Sequence, residues 1–302
     1  MEATLRMSEQ KIKNTLCENL EFCEERLSLL KDQYRLCAES LAEHLLLAHE
    51  NDNVAGCYEE FKSLLPSDNG VACAVFFKAL QKRNQAQTST SKKCDAVFEL
   101  LGMSESAQPG SHGKISYVRN KYNDVAFENF SLIIRNAKFS YAPSFASACE
   151  DVISGACEYA ILPIENSSDG RLFGFYSLLD RYELHICAVT SLETNDDDAS
   201  SIRFALVGRS APRRIENDAL CDFEFSIARE NGTRLAELLH AAYEFRATPK
   251  KTDTVSLEYD HDLYKHYLTF SVPCEEAYAF ALYLSFEYPN YTPIGFYKAE
   301  YL

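Results

Sequence analysis

The sequence predicts an α+β protein of several modules: an all-helical N-terminal module, one α/β lobe and a C-terminal β-α-β-β-α-β segment. Residues 8–48 contain no glycine or proline and repeat their apolar residues at helical spacing. Residues 113–210 alternate strand-like and helix-like patterns, which is typical of a layered α/β fold. Residues 219–302 show the order of a ferredoxin-like split β-α-β unit. A chain of 302 residues is long enough for two or three domains.

The helical module is predicted to span residues 1–88. Its first helix covers Ser8–Ala48 and carries one apolar face, formed by Leu16, Leu20, Cys23, Leu27, Leu30, Tyr34, Cys37, Leu41 and Leu45. A helix of this length is too long for a globular module to bury alone, so we expect it to pair with a partner. Shorter helices are predicted over Ala55–Leu64 and Val71–Gln87. Residues 89–112 indicate a linker that contains a short helix at Cys94–Leu101.

The α/β lobe is predicted to span residues 113–210. Its most informative strand, Tyr159–Ile164, is continuously apolar, as strands buried in parallel sheets are. Gly155 is expected to end the helix before it. The other predicted strands are Lys114–Val118, Phe139–Tyr141, His185–Ser191 and Arg203–Val207, and the helices are Asp124–Arg135, Ser144–Ser154 and Arg171–Leu179. In the C-terminal segment, strands are predicted at Asp222–Ala228, Thr252–Tyr259, Tyr264–Val272 and Ile294–Ala299, with helices at Thr233–Phe245 and Glu275–Phe286.

Composition excludes several classes of protein. The chain has 30 basic and 45 acidic residues, and a net charge of −15 disfavours a nucleic-acid or anionic-membrane partner. No apolar stretch is long enough to span a bilayer, and the N-terminus lacks the apolar core of a secretory signal. The 11 cysteines are scattered, so we expect buried thiols in a reducing cytoplasm. Because the histidines are dispersed too, neither a metal site nor a cofactor is expected.

One run carries a family resemblance. Residues 158–170, Glu-Tyr-Ala-Ile-Leu-Pro-Ile-Glu-Asn-Ser-Ser-Asp-Gly, resemble the acid-asparagine-serine element of the prephenate dehydratase family. The strand at Ile202-Arg-Phe resembles that family's Thr-Arg-Phe strand, and the segment around Arg229-Glu-Asn-Gly-Thr-Arg resembles its ACT regulatory domain. The N-terminal helices resemble a chorismate mutase module. The order of the three modules is that of the bifunctional bacterial mutase–dehydratase. The α/β lobe by itself resembles half of a prephenate dehydratase domain.

The resemblance implies chemistry that the residues only partly support. It implies two arginines and a lysine that hold a dicarboxylate on the mutase helix, but those positions fall on Cys17, Tyr34 and Leu45, and Arg35 lies one residue from the expected face. In the lobe, the family's Gly-Pro turn is replaced by Arg119-Asn-Lys, and its threonine becomes Ile202. The family's second lobe is reduced to a loop within Leu192–Ser201, which leaves one wall of the usual cleft.

We identify no catalytic residue with a clear role. The remnant candidates are Glu165, Asn166, Ser167 and Arg203, and the ligand-binding candidates are Ser168, Gly170, Asn231, Gly232 and Thr233. The first group indicates either an anion site at a helix N-terminus or a helix cap and turn that the fold itself needs.

Three functions stay open at this point. The first is a non-catalytic relative related to L-phenylalanine biosynthesis, acting as a regulatory or interaction protein, as a homodimer or with an active paralogue. The second is an active prephenate dehydratase, a carbon–oxygen lyase, with chorismate mutase activity less favoured. The third is a sensor of an aromatic amino acid or prephenate-like ligand.

Overall fold

The computed structural model describes residues 2–49, 53–66, 69–86, 103–104, 113–134, 136–166, 170–193, 201–212, 220–229, 235–257 and 260–297. The chain divides into two compact units, Met1–Asn84 and Gln85–Leu302. None of the helices among these residues is long and apolar enough to cross a bilayer.

The described residues of the first unit form three helices, α1 (Glu2–Ala48), α2 (Val54–Leu64) and α3 (Gly70–Ala86). The helix α2 begins after Asn53, whose side chain accepts a hydrogen bond of 2.9 Å from the backbone nitrogen of Gly56. Because α1 lacks glycine and proline from residue 8 onward, nothing in its sequence interrupts the predicted long helix.

Aromatic rings from α2 and α3 form the core of this unit. The ring centroids of Tyr58 and Phe77 lie 4.8 Å apart, and those of Phe61 and Phe76 lie 5.1 Å apart. The C-terminal part of α1 adds buried Ala38, Ala42, Leu45 and Leu46. At the positions compared above with a mutase site, Cys17 is exposed, Tyr34 is half-buried and Leu45 is buried.

The expectation of buried thiols is wrong for part of the chain. Cys17, Cys23 and Cys37 are exposed on α1, because no described residue of the first unit covers the helix surface that carries them. Six other cysteines are buried: Cys57, Cys73, Cys149, Cys157, Cys187 and Cys221. Burial raises the pKa of the Cys187 thiol to about 12, so that thiol is inert at neutral pH.

The second unit is built on one long sheet. Its strands are β1 (Met103–Ser104), β2 (Lys114–Val118), β3 (Lys138–Ala142), β4 (Tyr159–Asn166), β5 (Gly170–Arg171), β6 (His185–Glu193), β7 (Ser201–Gly208), β8 (Ala211–Pro212), β9 (Leu220–Arg229), β10 (Thr248–Leu257), β11 (Asp260–Pro273) and β12 (Tyr291–Tyr297). The main sheet has the order β10-β11-β9-β12-β6-β7-β4-β2-β3, with β5 on β4, while β1 and β8 form a separate pair. The strands β3, β2 and β4 are parallel, and β7 is antiparallel to both β4 and β6.

The helices cover both faces of the lobe. They are α4 (Lys121–Ile133), α5 (Phe145–Ser154) and α6 (Phe173–Tyr182). Side chains alternate along β4, so Ala160 and Leu162 pack against α5 and α6, whereas Tyr159 and Ile161 pack on the α4 side. Gly155 ends α5 with a left-handed φ of 77°, as the sequence predicts.

The C-terminal elements follow the order β9, α7 (Leu235–Glu244), β10, β11, α8 (Ala277–Glu287) and β12. The strand β12 joins this part to the lobe, because it pairs antiparallel with β9 and parallel with β6. At that junction Gly295 faces Ile186, and a Cβ on Gly295 would lie 2.6 Å from the Ile186 Cβ. Only glycine permits this approach of the two strands.

Several predictions differ from the structure or lie outside the described residues. The helix predicted from Arg171 begins at Phe173, because Gly170–Arg171 instead pairs with the end of β4. The helix predicted at Cys94–Leu101 is outside the described residues. The lobe and the C-terminal segment share one sheet and one compact unit, and the predicted boundaries 1–88, 89–112, 113–210 and 219–302 stay predictions.

Candidate functional site

The candidate site lies where β4 reaches its carboxyl end. The apolar run of β4 is buried and then gives way to Glu165 and Asn166, which are half-buried. Pro163 lacks a backbone N–H, and the pairing of β4 with β7 shifts register between Pro163 and Glu165. The irregularity leaves Glu165 directly opposite Arg203 and Asn166 opposite Ile202.

Glu165 is held by two cations. Its Oε1 accepts a hydrogen bond from Arg203 Nη1 at 3.2 Å, and its Oε2 accepts one from Lys251 Nζ. The Glu165 side chain is only 19% exposed. Burial alone raises the pKa of this carboxyl, but the hydrogen bond from Lys251 and the charge of Arg203 outweigh burial and leave the pKa below its usual range.

A second carboxylate, that of Glu224, is buried beside this pair. Glu224 is 1% exposed and accepts a hydrogen bond of 2.6 Å from the Tyr297 hydroxyl and another from the Tyr176 hydroxyl. Burial and the charge of Glu224 raise the pKa of Tyr297 well above its ordinary value, so its hydroxyl stays protonated and donates. Hydroxyl donors of this kind let a carboxylate remain in the interior.

Arg203 electrostatically connects the two carboxylates. Burial disfavours the charged guanidinium, but the nearby Tyr297, Glu165 and Glu224 outweigh burial and raise the pKa of Arg203. We use the name charge network for the group Glu165, Arg203, Lys251, Glu224, Tyr176 and Tyr297. The network joins β4, β7 and α6 of the lobe to β9, β10 and β12 of the C-terminal segment.

A local irregularity in β10 brings two adjacent lysines to this region. The pairing of β10 with β11 shifts register between Pro249 and Lys251, as at a β-bulge. Lys251 reaches Glu165, and Lys250 Nζ lies 2.6 Å from Oδ1 of the buried Asp222. In a regular strand, neighbouring side chains point to opposite faces, so the bulge explains why both lysines reach carboxylates of one region.

A further ion pair ties α6 to β11. Lys265 Nζ donates to Asp180 Oδ2 at 2.7 Å, and the Tyr267 hydroxyl donates to the same oxygen at 3.2 Å. The Tyr176 and Tyr267 rings lie close to these contacts, with centroids 4.1 Å apart. Two ion pairs, Glu165–Lys251 and Asp180–Lys265, therefore fix the C-terminal strands against the lobe, whereas Lys250 and Asp222 both belong to the C-terminal segment.

The structure places four of the predicted site residues at the end of β4, and two of them are in contact. Glu165 and Arg203 are in contact, Asn166 lies next to them at the end of β4, and Gly170 begins β5 opposite Asn166. Ser167, Ser168 and the three candidates Asn231, Gly232 and Thr233 lie outside the described residues. Sequence reasoning missed Lys251 and Glu224, and the polar alternation Asp222, Glu224, Ser226 along β9 was the signal that could have found the second.

The arrangement suits structural ion pairing better than proton transfer. A general acid or base needs an oxygen within reach of the substrate and a pKa near the working pH. Both oxygens of Glu165 are engaged, and its pKa is low. Within the described ranges, no group of three or more histidine, cysteine or acidic side chains is arranged to hold a metal ion.

Several proteins of known structure are similar to this chain. One is the quorum-quenching acylase GqqA, with 18% identity, 62% of this chain and 95% of that chain covered, and a TM-score of 0.49. Another is prephenate dehydratase from Streptococcus mutans, with 19% identity and a TM-score of 0.49. The match covers 61% of this chain and 97% of that chain. For prephenate dehydratase from Arthrobacter aurescens in complex with L-Phe, the identity is 12%, the coverage 61% and 90%, and the TM-score 0.48.

Curated protein sequences gave no match. The model of the prephenate dehydratase family matches residues 119–197, which run from the end of β2 past the end of β6. This range includes Glu165 and Asn166 and ends before Arg203. The lobe therefore contains a prephenate dehydratase family match over residues 119–197.

Proposed function

We propose that the chain is a prephenate dehydratase-like protein without turnover, which acts as a regulatory or interaction protein related to L-phenylalanine biosynthesis. The observation that carries this proposal is the Glu165 carboxylate, which is bound by Arg203 and Lys251. Its positive neighbours keep it ionised, and both of its oxygens already accept hydrogen bonds from these cations, whereas a general acid or base needs a pKa near the working pH.

The connection between β6 and β7 supports the same conclusion. Only residues 194–200 lie between these strands, and the family match ends within that segment, at residue 197. The resemblance implies that a dehydratase inserts its second lobe here. Seven residues are too few to form a second lobe, and one lobe does not enclose a substrate or exclude water from it.

The proposal is tested by turnover. The purified full-length protein is given prephenate and, separately, chorismate, and phenylpyruvate is read by its absorbance in alkali. The chain has no tryptophan, which keeps the protein background low. We expect the uncatalysed rate with both substrates, whereas phenylpyruvate formed faster than that rate would overturn the proposal.

An active prephenate dehydratase is the second candidate, and the family match over residues 119–197 favours it. In that case Asn166 at the carboxyl end of β4 would contact the substrate, because ligands of α/β sheets bind at that end of the strands. Mutase activity has less support, because Cys17 and Leu45 stand where the resemblance implies cations.

We further propose that the C-terminal segment is an ACT-like domain that senses an aromatic amino acid or a prephenate-like ligand. Its order of elements and the strand order β10-β11-β9-β12 support this assignment. The proposed setting is the cytoplasm, and the proposed partner is a second copy of the chain or an active paralogue.

A further inference from the structure

The strand β3 lies at one edge of the main sheet. It pairs with β2 on one side, and within the described part of the chain no strand pairs with its other side. The Lys138 backbone nitrogen donates to the Gly113 carbonyl at 2.9 Å, so the backbone polar groups of Lys138 point toward β2. Because these groups alternate in direction along a strand, those of Phe139 and Tyr141 point to the open side, where a further strand would pair.

The side chains of the same two residues form an exposed aromatic surface. Phe139 is 53% and Tyr141 is 46% exposed, and their ring centroids lie 5.0 Å apart. The buried Tyr117 packs against Tyr141 with a centroid distance of 5.3 Å, and the half-buried Phe127 packs against Phe139 at 5.8 Å. We use the name β3 edge for Phe139 and Tyr141 with their outward backbone groups. Aromatic rings are enriched at the centres of interfaces, so this pair beside open backbone groups suits an added strand.

Positive side chains lie at both ends of β3. Lys138, its first residue, is exposed. Arg119 and Lys121 follow β2, which runs parallel to β3, so they lie at the other end and are exposed as well. The Arg119 guanidinium carbon is 5.2 Å from the centroid of the Tyr141 ring. These cations outnumber Glu128, the exposed acidic residue of α4, although the whole chain has a net charge of −15, and they favour an acidic partner.

We propose that the β3 edge binds an acidic segment of another protein, which adds to the sheet as an extended strand. The backbone groups of Phe139 and Tyr141 pair with the segment, and its apolar side chains, two residues apart, pack on the two rings. Acidic residues on either side of them meet Lys138 and Arg119. This deepens the interaction role proposed above, on which it rests, by naming a surface and a class of partner.

The charges disfavour a second copy of the chain on the same edge. An antiparallel pair centred on Ser140 would set Phe139 against Tyr141 of the second copy, which suits the rings. The same pairing would bring Lys138 and Arg119 of one chain toward the cations of the other, and like charges across an interface lower the affinity. An acidic segment avoids this repulsion, so it is the occupant that the charges favour.

The first test selects the sequence of the partner. A phage-displayed library of random dodecapeptides is panned on the immobilised full-length protein, and phage that also bind the Phe139→Pro variant are removed. Proline at this position removes one backbone donor on the open side, where edge strands tolerate it. We expect enriched peptides with acidic residues around apolar residues that are two positions apart. No enrichment over the variant, or enrichment of basic peptides, would overturn the proposal.

The second test separates ring, backbone and charge with a selected peptide, which is labelled and measured by fluorescence anisotropy. Phe139→Ala removes the ring and should weaken binding about tenfold, and Phe139→Pro should weaken it roughly fivefold more, because a backbone donor is also lost. Lys138→Glu should weaken binding roughly threefold to tenfold, and salt at about 0.5 M should reduce that difference. The matched control, Lys31→Glu, makes the same change of charge on the exposed surface of α1 and should leave the affinity unchanged.

Melting temperatures show whether each variant is folded, and if Phe139→Pro does not fold, Phe139→Ala and Lys138→Glu decide. A selected peptide that binds both of these variants as tightly as the natural chain would overturn the proposal. Self-association that Phe139→Ala abolishes, measured by sedimentation velocity, would identify a second copy as the occupant and would overturn it too. None of these measurements reads turnover, so a failure here would leave the proposed loss of catalysis intact, and measured turnover would leave the β3 edge intact.

Discussion

Glu165 of β4 and Arg203 of β7 are direct cross-strand neighbours, and their side chains form an ion pair of 3.2 Å between Oε1 and Nη1. Lys251, from the C-terminal strand β10, completes the pair from the other side. The residue that the sequence marks as a remnant of catalysis thus fastens two parts of one sheet together. Its role can be measured through stability as well as through activity.

The first prediction concerns Glu165→Gln. The folded-state pKa of Glu165 is lowered, so its stabilising contribution is present above the unfolded pKa of about 4.3 and is lost as the pH falls through the folded pKa. The variant should unfold more easily at pH 7, by roughly 1–3 kcal/mol, since two cations lose their anion. Chemical denaturation at pH 7 and at stepwise lower pH should show a shallower loss of stability for the variant below about pH 4.

The control for that measurement is Glu128→Gln on the exposed surface of α4, which removes the same charge away from the network. It should keep the pH profile of the natural chain. If the stability of Glu165→Gln varied with pH in the same way as that of the natural chain and of Glu128→Gln, the ion pair would have no structural role.

The second prediction concerns the hydroxyls around Glu224. Tyr297→Phe and Tyr176→Phe each remove one donor from a carboxylate that is 1% exposed. Each should lower the free energy of unfolding by about 1–3 kcal/mol, since the buried carboxylate loses a hydrogen bond that water cannot replace. Because both donors serve one carboxylate, the double variant should deviate from additivity, and urea denaturation of the four proteins measures the deviation. If neither substitution lowered the free energy of unfolding, the two hydroxyls would not stabilise the Glu224 carboxylate as proposed.

The third prediction concerns the close approach of β12 and β6. Gly295→Ala would place a methyl group 2.6 Å from the Ile186 Cβ and 3.1 Å from its carbonyl oxygen. The strands must separate, which should cost about 1–3 kcal/mol of stability. The matched control is Gly174→Ala in α6, where a Cβ meets no atom within 4 Å, and it should be neutral or stabilising. Equal melting temperatures for the two variants would show that the strands do not meet as described.

The fourth prediction tests the proposed ligand. If the C-terminal segment senses an aromatic amino acid, L-phenylalanine should raise the melting temperature of the full-length protein. At a hundredfold excess over the dissociation constant, binding adds about 2.7 kcal/mol to stability. Tyrosine, tryptophan and prephenate serve as comparisons. If none of the four ligands raised the melting temperature at millimolar concentration, the proposed sensor role would be ruled out.

Much of the fold follows from local patterns in the sequence. The continuous apolar run Tyr159–Ile164 is a buried strand, and Gly155 ends the helix before it, because hydrophobic periodicity and glycine act within a few residues. The nearness of Glu165 and Arg203 was less evident. Only the family resemblance grouped them, and the strand pairing of β4 with β7 shows why they meet.

The rest of the candidate site depends on contacts between residues that are distant in the sequence. Lys251 lies 86 residues from Glu165, and only the sheet order connects them. Alternation along β9 places Glu224 on the polar side of the strand with Asp222 and Ser226, but only the sheet order shows that the lobe covers that side and buries Glu224. The pattern of α1 predicts an apolar face but does not identify what covers it. Because no described residue of the first unit covers Cys23 and Cys37, both are exposed, although burial is expected from the sequence.

The proposed loss of turnover is tested most simply by the rate of phenylpyruvate formation from prephenate, measured side by side for the natural chain and for Asn166→Ala. Because Arg203 and Lys251 neutralise Glu165, we expect both proteins to give only the uncatalysed rate. A natural chain that forms phenylpyruvate faster, with the excess abolished by Asn166→Ala while the melting temperature stays unchanged, would instead establish a working dehydratase site at the end of β4.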